Sequence, residues 1–176
     1  MATTAAKPAI AAAMMKVVEA TNAQDLDAFA QCFSDDVVFH TPDGTFEGKQ
    51  AVMEWVTEGW NGFHPTYVED SVTVFPGEDP HKAALAWTEQ GTFTAPINGV
   101  PATGKSAVYS GVSIATLNDA GLFTEITMHY NVYDFWQQLG LVPQRGGAAF
   151  KTMVMAEVAA AKTKDAAGKA KEAMHL

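Results

Sequence analysis

The sequence predicts an α+β fold in which helices cover one face of a curved antiparallel sheet. Apolar residues recur at helical spacing through much of residues 9–60, whereas polar and apolar residues alternate as in strands from residue 66 to residue 132. A hairpin signal joins the last two strand-like segments. Helices grouped towards one end of a chain and strands towards the other are typical of the α+β class.

Three helices are predicted in the first third of the chain. The first follows the apolar spacing of residues 9–22, and Asp25 can cap the second. A short strand at 37–40 and a Thr41-Pro-Asp-Gly44 turn come next. The third helix is expected to begin after Gly48.

Longer strands follow these helices. Alternation predicts them at residues 68–75, 82–94, 105–117 and 122–132. The segment Asn118-Asp-Ala-Gly121 has the composition of a hairpin turn, so the last two strands are expected to pair antiparallel.

The C-terminal part is predicted to be an addition to one domain. Residues 1–149 form the predicted domain and residues 150–176 an extension rich in Ala and Lys. An apolar stripe predicts a helix over 150–161. Residues 162–176 have few apolar anchors and are expected to be frayed or disordered, or to form a helix that docks on a partner subunit.

Charge and composition exclude several function classes. The net charge is −9, and residues 1–150 hold 6 basic and 17 acidic side chains. Such an acidic surface does not suit phosphate backbones or anionic membranes, so neither nucleic acid nor a membrane is an expected partner. The single Cys32 excludes an internal disulfide, and the scattered histidines predict no metal site. The N-terminus is a poor match to a signal peptide, which favours a cytoplasmic protein.

One segment has the residue spacing of a phosphate-binding motif but lacks the surrounding elements that such a motif needs. Gly99-Val-Pro-Ala-Thr-Gly-Lys-Ser106 fits the P-loop pattern, which requires a parallel strand before it and a helix after it. The residues that follow are rich in β-formers, and Pro101 lacks an amide proton. The segment therefore predicts a loop between antiparallel strands rather than a nucleotide site.

Five short motifs resemble one known family in their order and spacing. They are DDVVFHTP at 35–42, GKQAV at 48–52, WTEQG at 87–91, GVPATGK at 99–105 and QLGLVP at 138–143. On these residues the chain resembles the SnoaL-like polyketide (ester) cyclases of the nuclear-transport-factor-2-like superfamily. The resemblance covers roughly residues 10–143.

The resemblance implies a cone-shaped antiparallel sheet around a pocket that the N-terminal helices close. It also implies a homodimer formed through the outer face of the sheet. Better-known members close a ring by an intramolecular aldol reaction without metal or organic cofactor. An aspartate acts there as general acid/base, assisted by a histidine on the neighbouring strand.

The positions of that Asp/His pair hold Asn131 and Ser113 in this chain. Neither side chain exchanges a proton readily near neutral pH, although the Asn131 amide can donate to a carbonyl oxygen. The standard aldol machinery is therefore expected to be missing.

His129 and Asn131 are the predicted catalytic pair. Alternation alone favours His129 in solvent and its apolar neighbours in the core, but the resemblance turns the Asn131 position towards the cone. His129 would then transfer protons, or be a structural residue, and Asn131 would stabilise an oxyanion. Asp134 would replace the missing carboxylate or, as we prefer, cap a helix.

Six further residues are predicted to bind substrate. His40 is either a donor in the pocket or an exposed strand end, and Trp55 belongs to the core or the pocket wall. The other four fall in pairs that share a strand face, and the carboxylate among them is expected to have a polar partner. These pairs are Trp87 with Glu89 and Tyr109 with Ser113.

Three functions are consistent with this pattern. The first is a cofactor-independent cyclase, isomerase or hydrolase that acts by acid/base chemistry on a hydrophobic, oxygenated small molecule. The second is a protein that binds such a molecule without chemistry, as the loss of the Asp/His pair suggests. The third is an assembly module whose function lies in the sheet-face dimer and the basic tail.

Overall fold

A computed structural model describes the backbone of residues 6–173 and the side chains of residues 9–164. The described residues form five helices and seven strands. In chain order they are α1 Ala6–Ala23, α2 Leu26–Ala30, β1 Phe33–Thr41, β2 Gly44–Glu47, α3 Lys49–Phe63, β3 Thr66–Tyr67, β4 Thr73–Pro76, β5 Lys82–Thr92, β6 Ser106–Leu117, β7 Phe123–Tyr130, α4 Val132–Gln138 and α5 Ala148–Ala173.

All seven strands belong to one sheet. Their order is β2-β1-β7-β6-β5-β3, and β4 also pairs with β5. The predicted α+β fold is confirmed, with one difference: β1 and β7 pair in parallel, so the sheet is mixed rather than wholly antiparallel. Register shifts in β1 between Phe33 and Val38, and in β6 after Thr116, are irregularities of the kind that bends a sheet.

Alternation separates the two faces of the sheet. The inner face packs against α1, α2 and α3 and contains the fully buried Phe33, Val37 and Phe123. Val52 of α3 is also fully buried in this core. The outer face carries the other residue of each alternating pair, so the burial pattern identifies the inner side of every long strand.

Local sequence signals identify several element boundaries. The Asp25 carboxylate accepts a hydrogen bond from the Ala28 amide at 2.9 Å and caps α2. Gly48 is the N-cap of α3 with φ +83°. Gly121 completes the predicted hairpin turn with φ +76°, a conformation that glycine adopts without steric cost.

Two predicted strands have different limits in the structure. β1 begins at Phe33 rather than residue 37, and the segment predicted as one strand from 68 to 75 contains a break before β4. Asp70 has φ +58° in this break, which is incompatible with extended backbone. The residues after the P-loop-like segment form β6, so the helix that a phosphate site requires is missing there.

The chain divides into two compact units, residues 1–139 and 140–176. The predicted domain boundary at residue 149 stays a prediction. In the second unit α5 extends from Ala148 to Ala173, so the helical alternative describes residues 162–173. Ala and Lys have high helix propensity and favour a continuous helix even with few apolar anchors. Residues 174–176 lie outside the described residues.

Among the described helices, none is both long enough and apolar enough to span a bilayer.

Candidate active site

A buried carboxyl group lies on the inner face of the sheet. Glu89 of β5 pairs in register with Tyr67 of β3 on one side and Tyr109 of β6 on the other. Residues paired in this way share a face, so the two tyrosines flank the carboxylate. Glu89 is only 6% exposed. The Tyr109 hydroxyl donates to Glu89 Oε2 at 2.5 Å, and the Tyr67 hydroxyl also donates to this carboxyl group.

The surroundings of Glu89 favour its neutral form. Burial raises the pKa of the Glu89 carboxyl, while the hydrogen bonds from Tyr109 and Tyr67 lower it by a smaller amount. Burial, followed by the nearby Glu89 charge, raises the pKa of both tyrosines well above 10. The tyrosines therefore remain hydrogen-bond donors, and Glu89 is the group that can change its protonation state.

A row of residues beside Glu89 forms an aromatic wall. Trp87, Gly111 and Tyr130 are register partners on β5, β6 and β7. A Cβ atom on Gly111 would lie 2.5 Å from the Trp87 ring, so only glycine leaves room for the indole here. The Trp87 indole donates to Ser113 Oγ at 2.9 Å, which fixes the orientation of the ring.

Helix α4 adds aromatic surface next to Tyr109. The Phe135 ring lies 4.7 Å from the Tyr109 ring, and the Phe63 ring of α3 lies 5.1 Å from Phe135. Tyr67, Tyr109, Tyr130 and Phe135 are each half-buried, whereas Glu89 beneath them is buried. The cluster therefore presents partly accessible aromatic surface to an apolar molecule.

A second carboxyl with a raised pKa lies in the turn between β1 and β2. Asp43 is exposed as a residue, but its carboxyl is partly buried, and this burial raises its pKa. The indole N–H of Trp55 faces the carboxyl and lowers its pKa by a smaller amount. The pKa of Tyr130 is raised by burial, then by Asp43 and then by Glu89, so its hydroxyl lies within electrostatic range of both carboxyls.

The family model described as "SnoaL-like domain" matches residues 15–126, more than half of the sequence. The chain belongs to the SnoaL-like family. This match confirms the family inferred from the five motifs. No curated protein shows significant similarity to the sequence.

Solved structures share the SnoaL-like fold. A proposed polyketide cyclase from Xanthomonas campestris pv. campestris is 18% identical, with TM-score 0.70, covering 76% of this chain and 98% of that one. A proposed polyketide cyclase from Silicibacter sp. TM1040 is 26% identical, with TM-score 0.68, covering 74% and 94%. A proposed isomerase from Bacillus subtilis is 15% identical, with TM-score 0.66, covering 77% and 96%.

The structure overturns the predicted orientation of His129. This residue is exposed on the outer face of β7, where it is the register partner of the exposed Val112. Ile126, Met128 and Tyr130 occupy the inner face instead. The physical reason is the burial of the apolar set, which the alternation alone had favoured.

Asn131 and Asp134 form the N-terminus of α4. Asn131 is the N-cap: its side-chain oxygen accepts from the Asp134 amide at 3.2 Å, and its side-chain nitrogen donates to the Asp134 carboxylate at 2.5 Å. Asp134 therefore lies in the first turn, and the residue that caps α4 is Asn131 rather than the predicted Asp134. These capping bonds give both residues a structural role.

His40 lies on the outer face as well. Its Nε2 is 3.5 Å from a Glu125 carboxylate oxygen, and its Nδ1 is 3.1 Å from the Thr45 hydroxyl. His40 is therefore the exposed strand end that was one of the two interpretations, and it is not a hydrogen-bond donor in the pocket.

The structure brings the other predicted residues together. Trp87, Glu89, Tyr109 and Ser113 share the inner face, and the predicted polar partner of Glu89 is Tyr109. Trp55 lies nearer the second carboxyl, with its ring stacked 5.1 Å from Phe46.

Sequence reasoning missed Tyr67, Tyr130 and Asp43. Tyr67 belongs to a two-residue strand that lies just before the strand predicted at 68–75, so its register with Glu89 was hidden. Tyr130 was assigned to the outer face together with Ile126 and Met128. Asp43 was treated as an ordinary turn residue. The one sequence signal that could have placed Tyr130 at the site was its occurrence in the same alternating set as Ile126 and Met128.

Another concavity lies along α3. It has a volume of about 640 Å³, is widely open and extends along the side of the helix from Gln50 to Asn61, with Pro96. Its two carboxylates accept hydrogen bonds, Glu54 from Gln50 and Glu58 from the Asn98 amide. It therefore lacks a buried group of the kind found at Glu89. Within the described part of the chain, no group of three or more metal-ligating side chains is assembled.

Proposed function

We propose that this SnoaL-like protein is a cofactor-independent enzyme that acts by acid/base chemistry on a hydrophobic, oxygenated small molecule. The reaction class is cyclisation, isomerisation or hydrolysis. Glu89 is the central proton-transfer group in this proposal. The observation that supports this role is the burial of the Glu89 carboxyl on the inner face of the sheet, where two tyrosine hydroxyls donate hydrogen bonds to it.

The chemistry of Glu89 supports this role. General acid/base groups work best when their pKa lies near the working pH, and burial moves the Glu89 pKa upwards in that direction. Hydrogen bonds from Tyr67 and Tyr109 restrict the carboxyl group to one orientation. A positioned carboxyl that is neutral for part of the time can donate a proton to a substrate oxygen and later take it back.

The inner face also limits the class of substrate. Its strand residues near Glu89 are aromatic or small, and the inner rows of the sheet contain no Lys, Arg or His. A carboxylate or phosphate on the substrate would find no cation among these strand residues. The surface therefore suits a neutral molecule with aromatic or aliphatic rings and a carbonyl or hydroxyl group.

The structural relatives support the same class of function. Two of the solved proteins are described as proposed polyketide cyclases and one as a proposed isomerase. Cyclisation and isomerisation are two of the reaction classes proposed here, and both can proceed by proton transfer to and from a carbon next to a carbonyl group.

Solvent deuterium exchange tests this proposal without knowledge of the natural substrate. The probe is 2-tetralone, a neutral bicyclic ketone, incubated with the protein in D2O and analysed by mass spectrometry. We expect the wild type to accelerate exchange next to the carbonyl. Glu89→Gln should lower the rate by about 10²-fold or more, the usual contribution of a general acid or base. Glu69→Gln removes an exposed carboxylate and is the matched control. A folded Glu89→Gln variant with full exchange would remove Glu89 from the mechanism.

The alternative function is binding without chemistry. It is favoured by the positions of Asn131, which caps α4, and Ser113, which accepts from Trp87, because neither reproduces the expected catalytic pair. In that case 2-naphthol would bind, as a change in its fluorescence shows, while 2-tetralone would gain no deuterium above the buffer rate.

We also propose that a second copy of the chain covers the outer face of the sheet. Phe75, Ala84 and Ile114 are register partners in one row across this face, and Val112 lies in the next row. Phe75 is 56% exposed and Ile114 is 49% exposed. Large apolar side chains adjacent on an exposed sheet face are typical of an interface between subunits. The cytoplasmic location stays a prediction.

A further inference from the structure

Strand β7 does not extend along the whole edge of β6. Its last residue, Tyr130, pairs with Gly111, whereas β6 begins five residues earlier, at Ser106. Residues 106–110 of β6 pair with β5 on one edge, and none of the described strands pairs with their other edge. The backbone N–H and C=O groups on that edge therefore need partners other than a strand.

Gln138 of α4 takes the place of a strand at this edge. Its Oε1 accepts from the Val108 amide at 2.9 Å, and its Nε2 donates to the Val108 carbonyl oxygen at 2.9 Å. One side-chain amide thus makes both bonds that a residue of a hydrogen-bonded antiparallel pair would make with Val108. We call these two bonds the Gln138 clasp. The clasp joins the last residue of α4 to the backbone directly before Tyr109.

Helix α4 needs such contacts to hold its position. It has seven residues, none of which is buried, and isolated helices shorter than about 12 residues are marginal in water. The chain connects its first turn to β7. Its other end is fixed by the clasp and by Leu139, which is 3% exposed and packs in a cluster with Phe63.

The Phe135 ring transmits the position of α4 to the Glu89 site. It lies 4.7 Å from the Tyr109 ring, and it also packs against Tyr130 at 6.1 Å and Phe63 at 5.1 Å. The Tyr109 hydroxyl donates to Glu89 at 2.5 Å. The clasp therefore acts on Tyr109 in two ways, through the adjoining backbone at Val108 and through the ring that packs against Tyr109.

The clasp lies at the surface of the domain. Gln138 is exposed, and Val108 is 53% exposed. Water can satisfy the Val108 backbone groups at such a place, so removal of the clasp leaves no buried polar group unpaired. We therefore expect the domain to fold without it, and the effect of the clasp should lie in what it orients.

We propose that Gln138 is a positioning residue for the Glu89 site: its clasp holds α4 in place, so that Phe135 keeps Tyr109 against the Glu89 carboxyl and limits the access of water. This inference rests on the proposed function, because it concerns the carboxyl that transfers the proton. Gln138 acts through Val108, Phe135 and Tyr109 and has no contact with the reacting atoms in this proposal.

Loss of the clasp should change the water around Glu89 rather than the charge around it. The titratable groups that face Glu89 are Tyr67 of β3 and Tyr109 of β6, with Tyr130 of β7 in the next row, and none of them belongs to α4. Burial is the main cause of the raised Glu89 pKa. Hydration of the site after α4 moves should therefore lower this pKa.

Gln138→Met tests the proposal, because methionine has a similar length and helix propensity but cannot form either bond. The glutamate side-chain carboxyl carbons are labelled with ¹³C, and the Glu89 resonance is assigned by comparison with Glu89→Gln. We expect the midpoint of the Glu89 titration to move to lower pH in Gln138→Met. A mere loss of stability would not move this midpoint, because only folded protein contributes to the resonance.

The 2-tetralone exchange assay gives the corresponding effect on the reaction. At neutral pH, Gln138→Met should lower the exchange rate by about threefold to tenfold, the factor by which one or two net hydrogen bonds shift an equilibrium. The pH at which exchange is half-maximal should move in the same direction as the Glu89 titration.

Gln50→Met is the matched control. Gln50 is an exposed glutamine of α3, and its amide donates to Glu54 of the same helix at 3.0 Å. This substitution also replaces an exposed, hydrogen-bonded helical glutamine by methionine. It should leave the Glu89 titration and the exchange rate unchanged.

Phe135→Ala tests the link between α4 and Tyr109. It removes the ring that packs against Tyr109 but keeps the glutamine and its two bonds. The Glu89 titration should again move to lower pH. A Glu89 midpoint that stays at the wild-type value in either folded variant, Gln138→Met or Phe135→Ala, overturns the proposal.

Hydrogen exchange in the wild type tests the clasp without any variant. The Val108 amide should exchange about 10-fold or more slowly than an unstructured amide, although β7 does not reach it. Gln138→Met should lose most of this protection. An unprotected Val108 amide in the wild type overturns the proposal.

The outcomes separate this inference from the proposed function. Wild-type titration and exchange in Gln138→Met, together with impaired exchange in Glu89→Gln, overturn the role of Gln138 alone. No exchange by the wild type overturns the proposed function, and the Glu89 titration then still decides whether Gln138 positions this carboxyl.

Discussion

At the scale of single residues, the properties of Glu89 follow from its environment rather than from its type. Removal from water penalises the charged carboxylate, and two hydroxyl donors offset only part of that penalty. The opposite holds for Tyr67 and Tyr109, whose burial near a carboxylate keeps them protonated. The Glu89 carboxyl can therefore change its protonation state, whereas the two tyrosine hydroxyls stay protonated and remain hydrogen-bond donors.

This environment makes folding stability depend on pH. The folded-state pKa of Glu89 is raised above its unfolded value of about 4.5, so in the window between the two values the native state binds more protons than the unfolded state. The free energy of unfolding should therefore fall as pH rises through that window. The total fall is about 1.4 kcal/mol for each unit by which the folded-state pKa exceeds the unfolded-state pKa. Glu89→Gln should lack this decrease.

Urea denaturation at a series of pH values from about 4 to 8 measures the effect. Glu69→Gln provides the matched loss of one ionisable group at an exposed site. The expected result is a difference between wild type and Glu89→Gln that changes with pH. Identical pH dependence for the two Gln variants would contradict it.

At the scale of elements, register between strands assembles the site. β5 provides Trp87 and Glu89, and each needs a specific partner on β6: a glycine opposite the indole and a tyrosine opposite the carboxyl. Slippage of β5 by one residue would move Trp87 and Glu89 to the other face, away from both partners. The hairpin between β6 and β7 then places Tyr130 beside Gly111.

Gly111→Ala should destabilise the protein by about 1–3 kcal/mol, the usual cost of overpacking. The new Cβ would lie 2.5 Å from the Trp87 ring and 2.6 Å from the His129 carbonyl oxygen, and the backbone oxygen cannot move aside easily. Denaturation followed by tryptophan fluorescence measures the change.

The control is the same substitution at Gly59, within α3. Nothing lies within 4 Å of a Cβ there, so Gly59→Ala should stabilise the protein by about 0.5–1 kcal/mol through better helix propensity. Equal effects of the two substitutions would show that the glycine opposite Trp87 is not a packing requirement.

At the scale of the whole molecule, the two faces of the sheet carry different kinds of side chain. The inner face holds the core and the Glu89 site, and the outer face exposes Phe75, Val112 and Ile114 in neighbouring rows. The outer His40–Glu125 pair and His129 lie on that same face. These residues are therefore more suited to a subunit interface than to the chemistry.

Ile114→Lys should weaken the proposed dimer. A twofold axis places the substitution in both copies, so the loss of buried apolar area amounts to at least about 3 kcal/mol, or roughly 10²-fold in Kd. Sedimentation velocity across a concentration series measures the change. Asn61→Lys on the exposed side of α3 is the control for added charge. A wild type that stays monomeric at high concentration would contradict the dimer itself.

Much of the fold could be predicted because its signals are local. The Asp25 cap, the glycine before α3 and the hairpin turn at Asn118–Gly121 each depend on a few neighbouring residues. The pairs Trp87 with Glu89 and Tyr109 with Ser113 followed from alternation within one strand. The parallel pairing of β1 with β7 could not be predicted in this way, because it joins segments that are distant in the chain.

The candidate site was predicted only in part. Alternation correctly separated His129 from Tyr130 and by itself favoured the apolar set on the inner face, but the resemblance led to the opposite, wrong choice. Tyr67 reaches the site from a two-residue strand, an element too short to have a pattern of its own.

The sequence by itself determined the family, the α+β class and the residues that share a face on each long strand. Those properties depend on side-chain periodicity and turn chemistry, which act over a few residues. Only the tertiary structure decided that Glu89, rather than His129, is the enclosed titratable group. Burial depends on which face of the sheet the helices cover and on which strands become neighbours. No single segment of the chain determines either of these features.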